Sequence, residues 1–433
     1  MHWLFLIVAI AHQAWIYRRH GRIDPFAVTS LIDVAIVLLL FVGSLLSPLA
    51  RNLLATDVSF GLTLLVGQIA LYAGLYVIPP NTSPAGAGPR LRSPSRVWLI
   101  AASVIYLLAS LAIAKLYSTI AGISILDWLL GERVTVYSLA KSLGFGMILN
   151  YVMTVFQVGL LILIMVTLQR KRWLAAGMLY AALFVGVFMM FTTRLQLLVI
   201  LMLPAFYFHY HVRRLTMPAL AALAAGFVLM AAFFNMLRGG GLDFAISDLS
   251  EDKLVRFSSF GTSTYFVEPM AMLYTKLSDG DVDYEYGKNY SLMWLTFIPR
   301  DLWPEKPLTA FENRMTVELF GSQFDPGGTV QIWTFTAWGE GFAQFDVAGV
   351  GLNLFLYGVI IALARRFCAS RPHHFLVWCY FLMMAAVYLR AGFQALAFLF
   401  INMIVVAAIY DLLPRIRLVW KAERSPASAG GDV

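Results

Sequence analysis

Apolar runs, most of about 17–22 residues and separated by polar connections, recur along most of the chain, the length needed to cross a hydrocarbon core of roughly 30 Å as a helix. They lie at 2–17, 26–47, 58–78, 97–117, 145–168, 174–191, 195–210, 216–236, 347–363, 375–389 and 393–410. The runs do not alternate apolar with polar residues, which excludes a membrane β-barrel. The pattern therefore predicts an all-α polytopic membrane protein with about eleven transmembrane helices. Two polar intervals interrupt it. In 118–144, Ile123, Leu126, Leu129 and Leu130 share one face at helical period, predicting a helix that lies in the outer interface. The larger interval separates the eighth run from the ninth. The chain thus divides into 1–236 (helices one to eight with the interfacial segment), 237–346 (a large outer loop), 347–412 (helices nine to eleven) and 413–433 (a basic tail).

Composition sharpens the class. The chain is 60% hydrophobic and 13% charged, with mean hydropathy +0.76, well beyond the apolar content of soluble domains. Its net charge of +8 does not point to nucleic acid, because the bases gather in alternate short connections. Arg18, Arg19 and Arg22 follow the first run, Arg90, Arg92 and Arg96 the third, Arg170, Lys171 and Arg172 the fifth, and Arg365, Arg366 and Arg371 the ninth. Under the positive-inside rule these are cytoplasmic, and the N-terminus lies outside. The first run has its bases after the apolar stretch rather than before it, so it is expected to be an uncleaved helix and not a signal peptide. Most acids fall in the outer connections. Cys368 and Cys379 show neither disulfide nor zinc spacing, and no metal or cofactor is expected. The acidic stripe Asp279, Asp281, Asp283 and Glu285 lacks the Gly and closing Glu of a calcium loop and reads as a solvated turn.

Chemistry concentrates in the outer loop. Its stretch Tyr286–Pro307 mixes interfacial aromatics with Arg300, Asp301, Glu305 and Lys306 among Pro299, Pro304 and Pro307. Arginines on the outer side are not needed for orientation, and a cation close to hydrocarbon needs a partner. Arg194 and Arg390 sit in hairpins too short to hold them far from the membrane, and Arg238 and Arg300 lie in the loop. A guanidinium fork matches phosphate, and an interfacial pyrophosphate would be supplied by a polyprenyl-linked substrate. The bland alternative is that each arginine reaches a lipid headgroup or a nearby acid. Candidate proton acceptors are Glu268, Asp301, Glu305, Glu312 and Glu340, because no histidine lies in an outer loop. Glu340 stands out among them. Gly339 and Gly341 leave its backbone open to close approach, and Trp338, Phe342 and Phe345 surround it as a prospective sugar site.

The sequence Gly287, Tyr290, Ile298, Pro299, Arg300, Trp303, Pro304, Lys306 and Pro307, followed by Gly339, Glu340 and Gly349, resembles the signature of oligosaccharide repeat unit polymerases, the Wzy-type O-antigen and exopolysaccharide polymerases. Thr193 with Arg194 resembles that family's arginine between two central helices, and Arg390 resembles one near its C-terminal end. The resemblance covers the helix pattern and the large loop, and hardly touches the first hundred residues. It implies an architecture like that of the GT-C lipid-linked glycosyltransferases, in the bacterial inner membrane with the site on the periplasmic face. The implied reaction transfers a growing glycan from undecaprenyl pyrophosphate to the non-reducing end of a new lipid-linked repeat unit, without metal or nucleotide sugar. On this reading Arg194, Arg300 and Arg390 hold the pyrophosphates, Arg238 and Lys306 support them, and Glu340 is the base. Trp303, Trp338 and Tyr290 would meet sugar faces. The implied partners are lipid-linked glycans, membrane lipids and a chain-length regulator. Three other readings stay open. They are an O-antigen ligase, although the outer histidine usual there is missing; a transporter of lipid-linked glycans, although Asp33 is nearly the only charge within the helices; and an acyltransferase, although the central helices lack histidine.

Overall fold

The computed structural model describes residues 1–21, 23–24, 27–79, 90–91, 96–120, 122, 124–125, parts of 160–226, 267–298, 303, 305–320, 334–369, 375–412 and 420–421, and all structural statements concern these. The helices are α1 (His2–His20), α2 (Val28–Leu46), α3 (Pro48–Thr56), α4 (Val58–Val77), α5 (Arg96–Ile120), α6 (Trp173–Met190), α7 (Val267–Ser278), α8 (Lys288–Leu292), α9 (Phe311–Phe320), α10 (Thr336–Ala369), α11 (Phe375–Tyr388) and α12 (Phe393–Leu412). The sole strand pairing among the described residues is two residues long, with β1 (Arg90–Leu91) antiparallel to β2 (Trp420–Lys421). Four helices are long and apolar enough to cross a membrane: Val28–Leu46, Val58–Val77, Ile100–Ile120 and the one over Thr336–Cys368. Trp173–Gly186 and Val377–Tyr388 are apolar but shorter. The runs predicted at 145–168, 195–210 and 216–236 fall largely outside the described residues. The same holds for most of the interfacial segment, where α5 continues to Ile120.

Two compact units divide the chain. The first comprises Met1–Pro80, Ser258–Arg366 and Phe381–Met403. Within it, α1, α2 and α4 are joined by polar side chains in otherwise apolar helices. Asp33 on α2 is buried, pairs with His12 Nδ1 at 2.8 Å and accepts from the Tyr72 hydroxyl at 2.5 Å, while His12 Nε2 meets the Tyr76 hydroxyl at 2.7 Å. A lone carboxylate in such helices would be costly, and these contacts offset that cost. Helix α2 passes through a π-turn at Val37–Val42. The connection after it, expected to be a weakly charged turn, is itself the short helix α3, capped by Ser47 Oγ accepting from Ala50 N at 3.2 Å. Asp57 then caps α4 by accepting from Ser59 N at 2.8 Å, and its other oxygen accepts from the Tyr274 hydroxyl of α7 at 2.9 Å. The loop is thereby fastened to the predicted outer end of α4.

Helix α10 is two arms. Phe345 (φ −151°) and Asp346 (φ 56°) break it, leaving 336–344 as one arm and 347 onward as the other. The arms fold tightly on each other. A Cβ on Gly341 would come within 2.8 Å of the Gly349 carbonyl oxygen, and one on Gly349 would overlap the Gly341 carbonyl. Trp338 donates to the Leu64 carbonyl at 3.0 Å, which docks the first arm on α4. At the other end of the same pair, Arg365 donates to the Ile78 carbonyl at 3.0 Å, just beyond the last turn of α4.

The second unit comprises Asn81–Phe257, Phe367–Tyr380 and Ile404–Val433. Its described centre is the pairing of α5 with α6, where Gly186 packs on the ring of Tyr106. Cys368 and Cys379 are buried and form no disulfide among the described residues.

Candidate functional site

The site is built where α8, α9 and the first arm of α10 meet the hairpin between α11 and α12. The first arm of α10 begins at Thr336, whose N–H, like that of Ala337, lacks an intrahelical acceptor. Thr336 N donates to the Arg390 carbonyl at 3.0 Å and Ala337 N to the Leu389 carbonyl at 2.8 Å. The exchange is reciprocal, because one turn into α10 the Glu340 carboxylate caps the start of α12. It accepts from Phe393 N and, at 3.3 Å, from Gln394 N. Gly392 (φ +95°) lets the chain turn under this carboxylate, since a Cβ there would overlap Glu340 Oε2. Arg390 is therefore held by backbone bonds on both sides of its turn.

A polar network continues from Glu340 into the loop. Asn289 of α8 donates to Glu340 Oε1. Arg314 of α9 donates to Asn289 Oδ1 at 3.2 Å and grips Glu285 with two parallel bonds of 2.8 and 2.9 Å. Gln344 donates to Glu285 at 2.6 Å and accepts from Gly287 N at 3.0 Å. Gln394 accepts from Phe311 N at 3.2 Å and donates to the Thr309 carbonyl at 3.1 Å. Satisfied to this degree, a buried polar cluster fixes one arrangement of α8, α9, α10 and the hairpin.

Glu312, near the start of α9, is less completely satisfied. Its Oε1 is closed to solvent and has no hydrogen-bond partner among the described residues. Burial, and then the charge of Glu340, push its carboxyl up to about 8, while Arg390 pulls the other way. Arg390 is itself lowered by burial, with Glu312 and Tyr388 acting against that shift. Glu312 thus lies within electrostatic reach of both Arg390 and Glu340, three residues from separate parts of the sequence.

Several expectations change on this geometry. Glu340 was expected to be a base, which requires a lone pair open to a hydroxyl. It is 1% exposed, and both of its oxygens are occupied by N–H donors. Trp338 was expected to face a sugar, but it is 1% exposed and part of the core. Gly341 allows close approach of the chain's own second α10 arm rather than of a ligand. Glu285 leaves the solvated acidic stripe for its ion pair with Arg314, whereas Asp279, Asp281 and Asp283 are exposed.

Lys306 is buried and donates to the Ile298 carbonyl at 2.8 Å. Tyr290 donates to Asn353 Oδ1 at 3.2 Å, and its ring sits edge-on to Phe393. Its hydroxyl is raised by burial and then by Glu340. Trp303 and Glu305 are exposed, and Glu268 lies half-buried in the first turn of α7. Arg194, Arg238, Arg300 and Asp301 lie outside the described residues. The structure adds what the sequence reading passed over, Arg314, Asn289, Gln344 and Gln394 as the frame, and it leaves the aromatics Tyr286 and Trp294 of the expected interfacial stretch exposed. The one signal for the frame was amide side chains at the ends of apolar helices, where a solvated face has no need of them. Comparison with protein-family models, with curated proteins and with solved structures finds no match for this chain.

Proposed function

We propose that this chain is a polymerase of oligosaccharide repeat units, a membrane glycosyltransferase whose donor is a glycan on a polyprenyl pyrophosphate. Eleven spans, an inner-membrane location and a periplasmic site belong to the same proposal. The observation that carries it is Arg390. A cation from the last hairpin, whose backbone is bonded to the start of α10, lies within electrostatic reach of Glu312 of the large loop, as a site that receives an anionic leaving group at the membrane surface requires. The acceptor hydroxyl attacks the anomeric carbon as the bond from that carbon to the pyrophosphate oxygen breaks. The pyrophosphate leaves with the bonding pair onto Arg390, with Arg194 and Arg300 as further contacts, and the hydroxyl proton passes to a loop carboxylate. Glu305 is exposed and accessible for that transfer, next to Trp303 as a surface for sugar.

The test is to delete the gene, examine lipid-linked and surface glycans, and reintroduce wild type, Arg300→Ala and Arg390→Lys at matched expression. Single repeat units in the deletion, with polymer restored by wild type and not by either variant, support the reading. Full-length polymer left on the carrier means a ligase, and units trapped on the cytoplasmic face mean a flippase. Either result overturns the proposal, as does unchanged polymer length in both variants.

A further inference from the structure

The second unit carries a groove that the proposed reaction does not use. It lies between α5 and α6 and has a volume of about 970 Å³. Its walls are apolar, with Ile100 and Val104 on α5 and Trp173, Met178 and Val185 on α6. From Trp173 to Val185 a helix rises about 18 Å, close to the depth of one leaflet in a hydrocarbon core of roughly 30 Å. The charged side chains that line it are Lys171 and Arg172, at the end where α6 begins, and no carboxylate joins them. Both are exposed, and neither makes an ion pair among the described residues. No acid stands in the first turn of α6, whose N–H groups add partial positive charge at the same end. Orientation in the membrane accounts for bases on the cytoplasmic side. It does not account for a groove one leaflet deep that opens onto them.

We infer that this groove holds one anionic phospholipid of the cytoplasmic leaflet, with an acyl chain along α5 and α6 and its phosphate against Lys171 and Arg172. The guanidinium of Arg172 presents a fork that matches two phosphate oxygens, and the Lys171 ammonium adds a point charge beside it. Trp173, exposed next to them, stands at the level where an amphipathic ring meets headgroups. Charge selects the occupant. Two cations with no carboxylate leave a positive excess that an anionic headgroup neutralises, whereas a zwitterionic headgroup brings its own ammonium to the same place. A polyprenyl carrier fits less well, because its chain outruns one leaflet and its reaction is proposed for the outer face. The inference does not depend on the polymerase reading.

The experiment is native mass spectrometry of the purified full-length protein in detergent, titrated with phosphatidylglycerol and with phosphatidylethanolamine of the same acyl chains. Wild type is compared with the double variant Lys171→Gln/Arg172→Gln, with Ala181→Trp and with Arg366→Gln. Wild type is expected to retain one phosphatidylglycerol in preference to phosphatidylethanolamine. Removing both bases should weaken that binding roughly thirtyfold, the effect of two surface cations on an anionic lipid. Ala181 is an exposed residue of the groove, and a tryptophan there fills the space while leaving the bases in place, so the lipid should again be lost. Arg366 is an exposed base that does not line the groove, and its replacement should change nothing. An Arg366→Gln loss equal to that of the double variant would mean diffuse attraction of charge, and full binding to Ala181→Trp would mean that the groove takes no part. Either result overturns the inference. Equal retention of the two lipids by wild type also overturns it, and that comparison is independent of how any variant folds. Displacement of phosphatidylglycerol by undecaprenyl phosphate at equal concentration would give the groove to a polyprenyl carrier instead.

Discussion

Glu312 and Glu340 are the same residue type in one cluster, with opposite surroundings. Glu340 is a structural cap, and its removal strands Asn289, Phe393 N and Gln394 N at about 1–3 kcal/mol for each buried donor left unpaired. Glu340→Ala is therefore expected to lower the unfolding temperature in detergent sharply. Glu340→Gln, which keeps one acceptor oxygen, should lose less, and equal losses in the two would contradict the capping role. Glu312 predicts a pH effect instead. The folded protein retains a proton that the unfolded chain releases from its ordinary value of 4.5 upward, so stability falls as pH climbs from there to about 8 and then levels off. Glu312→Gln removes that slope. Relative to wild type it should gain at least ~1.4 kcal/mol, the equivalent of one pKa unit, between pH 5 and pH 8, read from parallel melting curves. From the sequence, both residues were legible as candidate acids, but their roles were not. Whether a carboxylate is satisfied depends on donors some fifty residues distant in the chain, such as Asn289 and Phe393 for Glu340.

Helix α10 shows the same division at the scale of elements. The predicted ninth run begins at 347, and the backbone breaks at Phe345 and Asp346, just before it. Hydropathy marks that boundary because the second arm is apolar from Val347 to Ala364 apart from Asn353. Nothing in the pattern shows that 336–344 is also helical or that it folds back on its successor. The fold-back depends on two glycines eight positions apart. Gly349→Ala places a methyl against the Gly341 carbonyl, and the backbone shift it forces should cost about 1–3 kcal/mol. Because that arm also carries Glu340, the variant should lose anion binding together with stability, whereas Gly351→Ala, with only ordinary contacts, should lose neither. Comparable losses in both variants would show that the Gly341–Gly349 contact is not what positions the arm.

For the whole molecule, orientation is the remaining expectation, and it is open to direct test. A single cysteine replacing exposed Asp279 should react with a membrane-impermeant maleimide in intact cells, and one replacing exposed Arg366 should react only after permeabilisation. The native Cys368 and Cys379 are buried and leave the background low. The reverse pattern would invert the topology and move the loop to the cytoplasm. By itself the sequence determined the class, since long apolar runs in water have no other outcome than helices in a bilayer. It also determined which residues start and end most of the described helices, because apolar length and charge are local properties. It pointed to the loop and to Arg390 as places for chemistry. Only the tertiary structure decided that Glu340 and Trp338 are framework and that Arg314 locks Glu285. It likewise decided that Glu312 Oε1 is left without a hydrogen-bond partner, within electrostatic reach of Arg390. Burial and hydrogen-bond satisfaction are set by contacts between segments far apart in the chain, and no pattern along one segment records them.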